Sequence, residues 1–245
     1  MPPKRRIDLL LVDRELAPTR AQAQALVLAG KVFTGDRRID KAGTELDPNI
    51  ELFVREPERF VSRGGHKLEG ALDALACQVE GAICADVGAS TGGFTDCLLQ
   101  RGASKVYAID VGHGQLAHKL ASDARVVVMD RANARHLTSD AFSDRLDLVV
   151  VDASFISLEK LLPAISSWMV PSARLLAMIK PQFEVGREEA RKSRGVIRDQ
   201  SVRSAAIEHV LGAIREADFD IQGGADSEVP GPKGNVEYCV LATKR

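Results

Sequence analysis

Five short apolar segments, "ICADVG", "KVYAID", "RVVVMD", "DLVVVD" and "RLLAMIK", recur between residues 83 and 180 with room for a helix between most of them. Their apolar residues run on consecutively instead of alternating, which predicts strands covered on both faces, as in a parallel sheet flanked by helices. Segments near residues 92–101, 115–121, 157–169 and 200–217 can supply those helices. The last apolar run, "VEYCVLATK", follows the "DIQGGADSEV" segment and suits an antiparallel closing strand. The expected fold is therefore α/β, and 245 residues leave space for one small module besides.

That module lies in front. "IDLLLVDREL" carries apolar residues at helical spacing, and "PTRAQAQALVLAG" reads as a second helix with Thr19 as N-cap and Gly30 as its stop. The β-prone pieces "KVFTG", "RRID" and "IELFV" follow, broken by Gly35, Gly43 and Asp47-Pro48. Residues 1–59 thus form an α+β domain, residues 60–65 a linker around "SRGGHK", and residues 66–245 the large domain. The whole chain carries a net charge of −1, yet residues 1–41 hold nine Lys or Arg against five acids, a local surplus of 9 − 5 = 4 positive charges. Such a patch is either a solvated face or a surface that neutralises phosphates.

No apolar run approaches the roughly 18 residues needed to cross a bilayer, and no charged-then-apolar leader opens the chain. A cytoplasmic protein without a membrane partner is expected. Cys77, Cys84, Cys97 and Cys239 are isolated, and the five His are scattered, so no metal site is expected.

"DVGASTGGFTD", from Asp86 to Asp96, closes the first of the large-domain strands. Gly88, Gly92 and Gly93 let the backbone turn tightly and approach a ligand, and the next helix offers free N–H donors. Asp86, Ser90, Thr91 and Phe94 complete this candidate cofactor loop, Phe94 being equally suited to core packing. Asp110, Asp130 and Asp152 end three further strands, at the edge where open α/β sheets bind ligands. Asp110 can accept from both ribose hydroxyls of a nucleoside; Asp130, or Asn133 nearby, can accept from an adenine amino group. One such Asp is more often a cap or a loop starter, but three in register after a glycine loop favour a nucleoside site. The loop lacks the full dinucleotide pattern, which favours S-adenosylmethionine over NAD. Lys67, Asp152, Lys180 and Glu237 are charges in segments that otherwise read as core, and such groups are tolerated only if they meet one another.

The front module resembles the S4 RNA-binding domain, through Arg6 with Asp8, Thr19 with Arg20, and the Gly30-Lys31-Val32 step; Thr34-Gly35 replaces the usual Asn-Gly turn. That resemblance implies RNA contacts by Arg6, Arg20 and Lys31, with Arg63 as a further candidate. The Lys67, Asp152, Lys180, Glu237 set looks like the tetrad of FtsJ-type ribose 2′-O-methyltransferases. With "SRGGHK", "GASTGGFT", "DVGHGQL", "SFISL", "KPQFEVG" and "GNVEY" in this order, the chain is similar to the TlyA family, known both as haemolysins and as rRNA (cytidine-2′-O)-methyltransferases.

The resemblance implies a seven-stranded, Rossmann-like class I methyltransferase sheet, S-adenosylmethionine as cofactor, and ribosomal RNA or a ribosomal subunit as partner. It implies that Lys180 takes or shares the 2′-OH proton while Asp152 and Glu237 hold the two lysines. The short C-terminus is similar to the type that modifies only large-subunit RNA. Competing readings are a non-catalytic RNA-binding assembly factor, a membrane-lytic protein, and an NAD-linked oxidoreductase. "REEARKSRG", residues 187–195, reads as a mobile loop on the acceptor side.

Overall fold

The computed structural model describes residues 3–55 and 58–245, and the chain divides into two compact units, Met1–Arg59 and Phe60–Arg245. In the first, β1 (Arg5–Arg6), α1 (Ile7–Asp13) and α2 (Arg20–Leu28) precede β2 (Val32–Thr34), β3 (Arg37–Arg38), β4 (Glu45–Leu46) and β5 (Phe53–Val54). Thr19 caps α2 by accepting from Gln22 N at 3.2 Å, and Gly30 stops it at φ +69°. β2 pairs antiparallel with β3 and β5, the β2–β3 turn passing through Gly35 at φ +57°. Ile7, Leu10, Leu11, Ala23, Val27 and Val32 form the small core between the helices and these strands.

The second unit begins with α3 (Gly64–Ala74), β6 (Ile83–Val87), α4 (Gly93–Gln100), β7 (Lys105–Ile109), α5 (His118–Ala121), β8 (Val126–Met129), β9 (Leu146–Val151) and α6 (Leu162–Trp168). It continues with β10 (Met169–Ile179), α7 (Pro181–Glu184), α8 (Arg187–Lys192), α9 (Gln200–Glu216), β11 (Phe219–Asp226) and β12 (Tyr238–Lys244). Seven strands form one sheet in the order β11-β12-β10-β9-β6-β7-β8. β6 to β10 pair in parallel, and β12 inserts antiparallel between β10 and β11.

The two-residue period of a strand sorts side chains onto two cores. Along β9, Val149 and Val151 join the layer with Leu162, Ile165, Val210 and Ile214, while Leu148 and Val150 join the opposite layer with Leu68, Leu72 and Leu98. Hence α6 and α9 cover one face, and α3 and α4 the other. β8 departs from the both-faces expectation: it is an edge strand, and Val127 and Val128 remain partly exposed. The chain leaves β6 towards β7 on one side and reaches β9 on the other, so the sheet reverses direction at β6 and opens a crevice at its carboxyl edge.

Two segments differ from the sequence reading. Residues 60–65 are packed, not a free linker: Phe60 is 3% exposed, Val61 N donates to Asp96 Oδ2 at 2.9 Å, and α3 already starts at Gly64. Residues 187–192 of the expected mobile loop form α8, held by a Glu188–Lys192 pair at 3.1 Å one turn apart.

The Phe60 contact explains one glycine of "SRGGHK". A Cβ on Gly65 would stand 2.2 Å from Phe60 Cγ, so Gly65→Ala overpacks the α3 interface. We expect it to lower stability by about 1–3 kcal/mol; an unchanged melting temperature would refute that reading.

Candidate active site

The glycine loop after β6 is shaped by contacts that a side chain would break. Gly88 sits at φ +90°, and a Cβ there would lie 3.1 Å from the Asp152 carbonyl oxygen. Gly92, at φ +95°, precedes α4 and would press a Cβ within 2.3 Å of Leu120. Between them Ser90 adopts φ +48° and Thr91 is exposed. These positions make a cradle of backbone at the start of a helix.

Gly93 and Phe94 of the same loop pack against α3. A Cβ on Gly93 would stand 2.3 Å from Ser62 Oγ and 2.9 Å from Gly65 N, so this glycine serves close packing of α4 on α3. Phe94 is 3% exposed and packs in the core with Phe60 and Leu68; the apolar ring is drawn into the interface between the helices instead of facing a ligand. Asp86 is fully buried. Its Oδ2 accepts from Thr95 N at 2.9 Å and Thr95 Oγ1 at 2.7 Å, which fixes the first turn of α4 to β6. Oδ1 has no hydrogen-bond partner among the described residues. Burial pushes the carboxyl up to about 7.

Asp110 and Asp130 stand at adjacent strand ends, and both accept from nearby backbone. Asp110 Oδ2 accepts from Ser90 N at 2.8 Å and Oδ1 from Gly112 N at 2.7 Å. Asp130 Oδ2 accepts from Gly114 N at 2.8 Å and meets His113 Nδ1 at 3.0 Å; the Gly114 bond first, then His113, holds it below its ordinary range. Asn133 caps the short turn Ala134–His136 through Arg135 N at 3.1 Å. Sequence reading missed that the 112–114 turn partners both acids; the glycines of "DVGHGQL" were the available signal.

The four charges form two bridges. Lys67, in the first turns of α3, meets Glu237 Oε2 at 2.6 Å with 9% and 1% of the side chains exposed. Lys180 meets Asp152 Oδ1 at 2.7 Å, and also donates to Asp152 O at 3.1 Å and Ser154 Oγ at 2.9 Å. Asp152 and Lys180 directly follow β9 and β10, which lie side by side with Val151 opposite Ala177. Glu237 directly precedes β12, one step beyond the Ile179–Tyr238 rung. Asp152 N donates to Val87 O at 3.0 Å, which ties this edge to the glycine cradle. Ser154 is the member that spacing alone did not suggest.

In the N-terminal unit, Asp8 is fully buried and gathers four hydrogen bonds from three residues. It accepts from Arg6 Nε and Nη2 at 3.0 and 2.8 Å, Arg20 Nε at 3.0 Å and Gln24 Nε2 at 2.9 Å. These hydrogen bonds, that of Arg6 foremost, hold its carboxyl well below the usual range. Both guanidiniums remain partly exposed. Lys31 is half-buried after α2, and Arg63, in the second unit, is exposed ahead of α3. Asp8 is a positioning group that the basic residues alone do not reveal.

Comparison with known proteins gives the family and the fold. The FtsJ-like methyltransferase family matches residues 60–244 and the S4 domain residues 5–52. The 16S/23S rRNA (cytidine-2′-O)-methyltransferase TlyA of Mycobacterium tuberculosis is 47% identical over 95% of this chain and 87% of its own. Hemolysin A of Brachyspira hyodysenteriae is 38% identical over 95% of this chain and 97% of its own. A solved Streptococcus thermophilus structure, also bearing a hemolysin name, superposes with a TM-score of 0.75 at 40% identity over 99% of this chain and 89% of that one. Among the described residues no helix is long and apolar enough to cross a membrane.

Asp86 gives a pH signature. Its folded value of about 7 lies above the unfolded 3.8, so the native state holds the proton more tightly and stability falls as pH rises between those values, then levels off. Asp86→Asn removes that titration. Urea midpoints measured across this window should decline for the native protein relative to the variant; parallel curves would reject the assignment.

Proposed function

The chain belongs to the FtsJ-like methyltransferases, and from that premise we propose that it methylates the 2′-oxygen of a cytidine ribose in ribosomal RNA, in the cytoplasm. The observation that carries this reading is the pair of buried lysine–carboxylate bridges beside a glycine cradle at one sheet edge. In this reading residues 1–59 grip RNA and residues 66–245 perform the transfer.

S-adenosylmethionine, the methyl donor, supplies an electrophilic methyl group on a sulfonium. The Gly88–Gly92 backbone and the carboxylates of Asp110 and Asp130 would hold it, the acids accepting from the ribose hydroxyls and the adenine amine alongside the loop N–H groups they already hold. Asp86 acts from behind, by fixing α4.

A ribose hydroxyl is a weak nucleophile near neutral pH, so the transfer needs a proton acceptor in place. Lys180 Nζ is held from three sides by Asp152 Oδ1, Asp152 O and Ser154 Oγ; once one of its three protons has passed to the Asp152 carboxylate, the freed lone pair takes or shares the hydroxyl proton. Lys67 and Glu237 fix the other flank, so the hydroxyl approaches along one direction, and such orientation supplies a large part of the rate.

Arg6 and Arg20, set by Asp8, would present guanidinium N–H groups to phosphates, with Lys31 and Arg63 adding charge. Phosphate contacts position RNA without reading its sequence.

Two outcomes check this. Lys180→Ala should reduce methyl transfer to ribosomal subunits by about 10²–10⁴-fold while calorimetry shows S-adenosylmethionine still bound; undiminished methylation overturns the catalytic role. Arg20→Ala should weaken RNA binding for all sequences alike and lower the salt-dependence slope by about 1; an unchanged slope removes Arg20 from the phosphate contacts.

A further inference from the structure

The outer face of the small sheet in the N-terminal unit carries a layered stack of its own. Val32 belongs to the small core, so the two-residue period of β2 turns Phe33 to the opposite face. Opposed residues of an antiparallel pair share a face, which brings Phe53 of β5 and Arg38 of β3 to the same side as Phe33. Arg55 N donates to Lys31 O at 2.8 Å, and this further rung adds Lys31 and Arg55 to that face. Both rings are half-buried, and neither is part of the core beneath.

Arg55 covers both rings. Its guanidinium carbon stands 5.6 Å from the Phe33 centroid and 4.9 Å from that of Phe53, within the range at which a cation is attracted to a ring face. The side chain is nevertheless 48% exposed, and a 3.8 Å contact reaches the fully exposed Asp36. Arg38 is paired with Asp40, again with both partners exposed. Ion pairs this open to water are worth little, whereas an arginine fork fits the oxygens of a phosphate. With one side of the Arg55 guanidinium resting over the rings, its other side is left for a third layer.

That layer has to be flat, and the cations around it call for attached negative charge. An unpaired RNA base meets both conditions: bases splayed out of a helix are held on aromatic rings and on guanidinium planes, and each brings the phosphates that Arg38 and Lys31 can meet. A base inside a duplex does not, because its neighbours already cover its faces. We propose that this sheet face is a second RNA surface of residues 1–59, on which an unpaired base stacks upon Arg55 and, beneath it, Phe33 and Phe53. The arginines set by Asp8 meet backbone phosphates, while this face requires a nucleotide turned out of its helix. Stacking of this kind is tolerant of sequence, so the face selects a loop or a bulge and not a particular base. The proposal rests on the reading of residues 1–59 as an RNA grip and adds the structural class of nucleotide that the grip takes.

The test measures binding of the full chain to two probes of equal charge, a single-stranded oligoadenylate and a chain of abasic ribose phosphates of the same length. Arg55→Lys keeps the charge and loses the plane. It should weaken oligoadenylate binding by about 5- to 150-fold, the worth of one stacked base, while the abasic chain, the salt dependence of both probes and the melting temperature stay as they are. Phe53→Leu, which removes a ring from beneath the guanidinium but keeps the position apolar, should weaken the same probe and spare the other. An Arg55→Lys protein that binds both probes as the native one does overturns the proposal and leaves the face to a protein partner. Equal losses on the two probes overturn it as well, since they mark a phosphate contact without a stack. A native protein that binds neither probe nor ribosomal RNA would instead bring down the RNA-grip reading, and this proposal with it.

Discussion

A charge removed from water has to find its opposite, and this requirement governs the carboxyl edge of the large sheet. Lys67 with Glu237 and Lys180 with Asp152 are drawn from four separate places in the chain. Removing one member of a buried pair strands the other at a cost of about 3–5 kcal/mol. The register of β9, β10 and β12 and the seating of α3 are therefore tied to the site: a strand slipped by one residue would turn its charge to the wrong face. The proposed chemistry uses the same amines that the fold has to neutralise.

The glycine cradle follows the same logic with backbone in place of side chains. Gly88 admits the Asp152 carbonyl, Gly92 admits Leu120, and Gly93 lets α4 sit on α3. Gly88 is half-buried, whereas Gly92 and Gly93 are buried in packing. Asp110 and Asp130 already accept from loop N–H groups, so the loops that border the nucleoside region are held in shape by the acids proposed to bind it.

Asp8 does in the small unit what the bridges do in the large one. A single buried carboxylate fixes two arginines and a glutamine, which spends less side-chain entropy on binding than flexible cations would.

The sheet, its flanking helices and the closing strand were legible because uninterrupted runs such as "DLVVVD" have few alternatives to burial on both faces, and Thr19 and Gly30 mark a helix in any context. The tetrad was legible because a charge inside an apolar run demands a reason. Tertiary structure alone decided that 60–65 is packed, since the Phe60–Gly65 contact depends on where α3 lands. It alone decided between a ligand-facing and a core Phe94, for burial is settled by neighbours and not by adjacency to glycines. The sequence names which groups cannot stay unpaired; which partner each one takes, Ser154 for Lys180 or Asp8 for Arg20, is a matter of distances that only the folded chain sets.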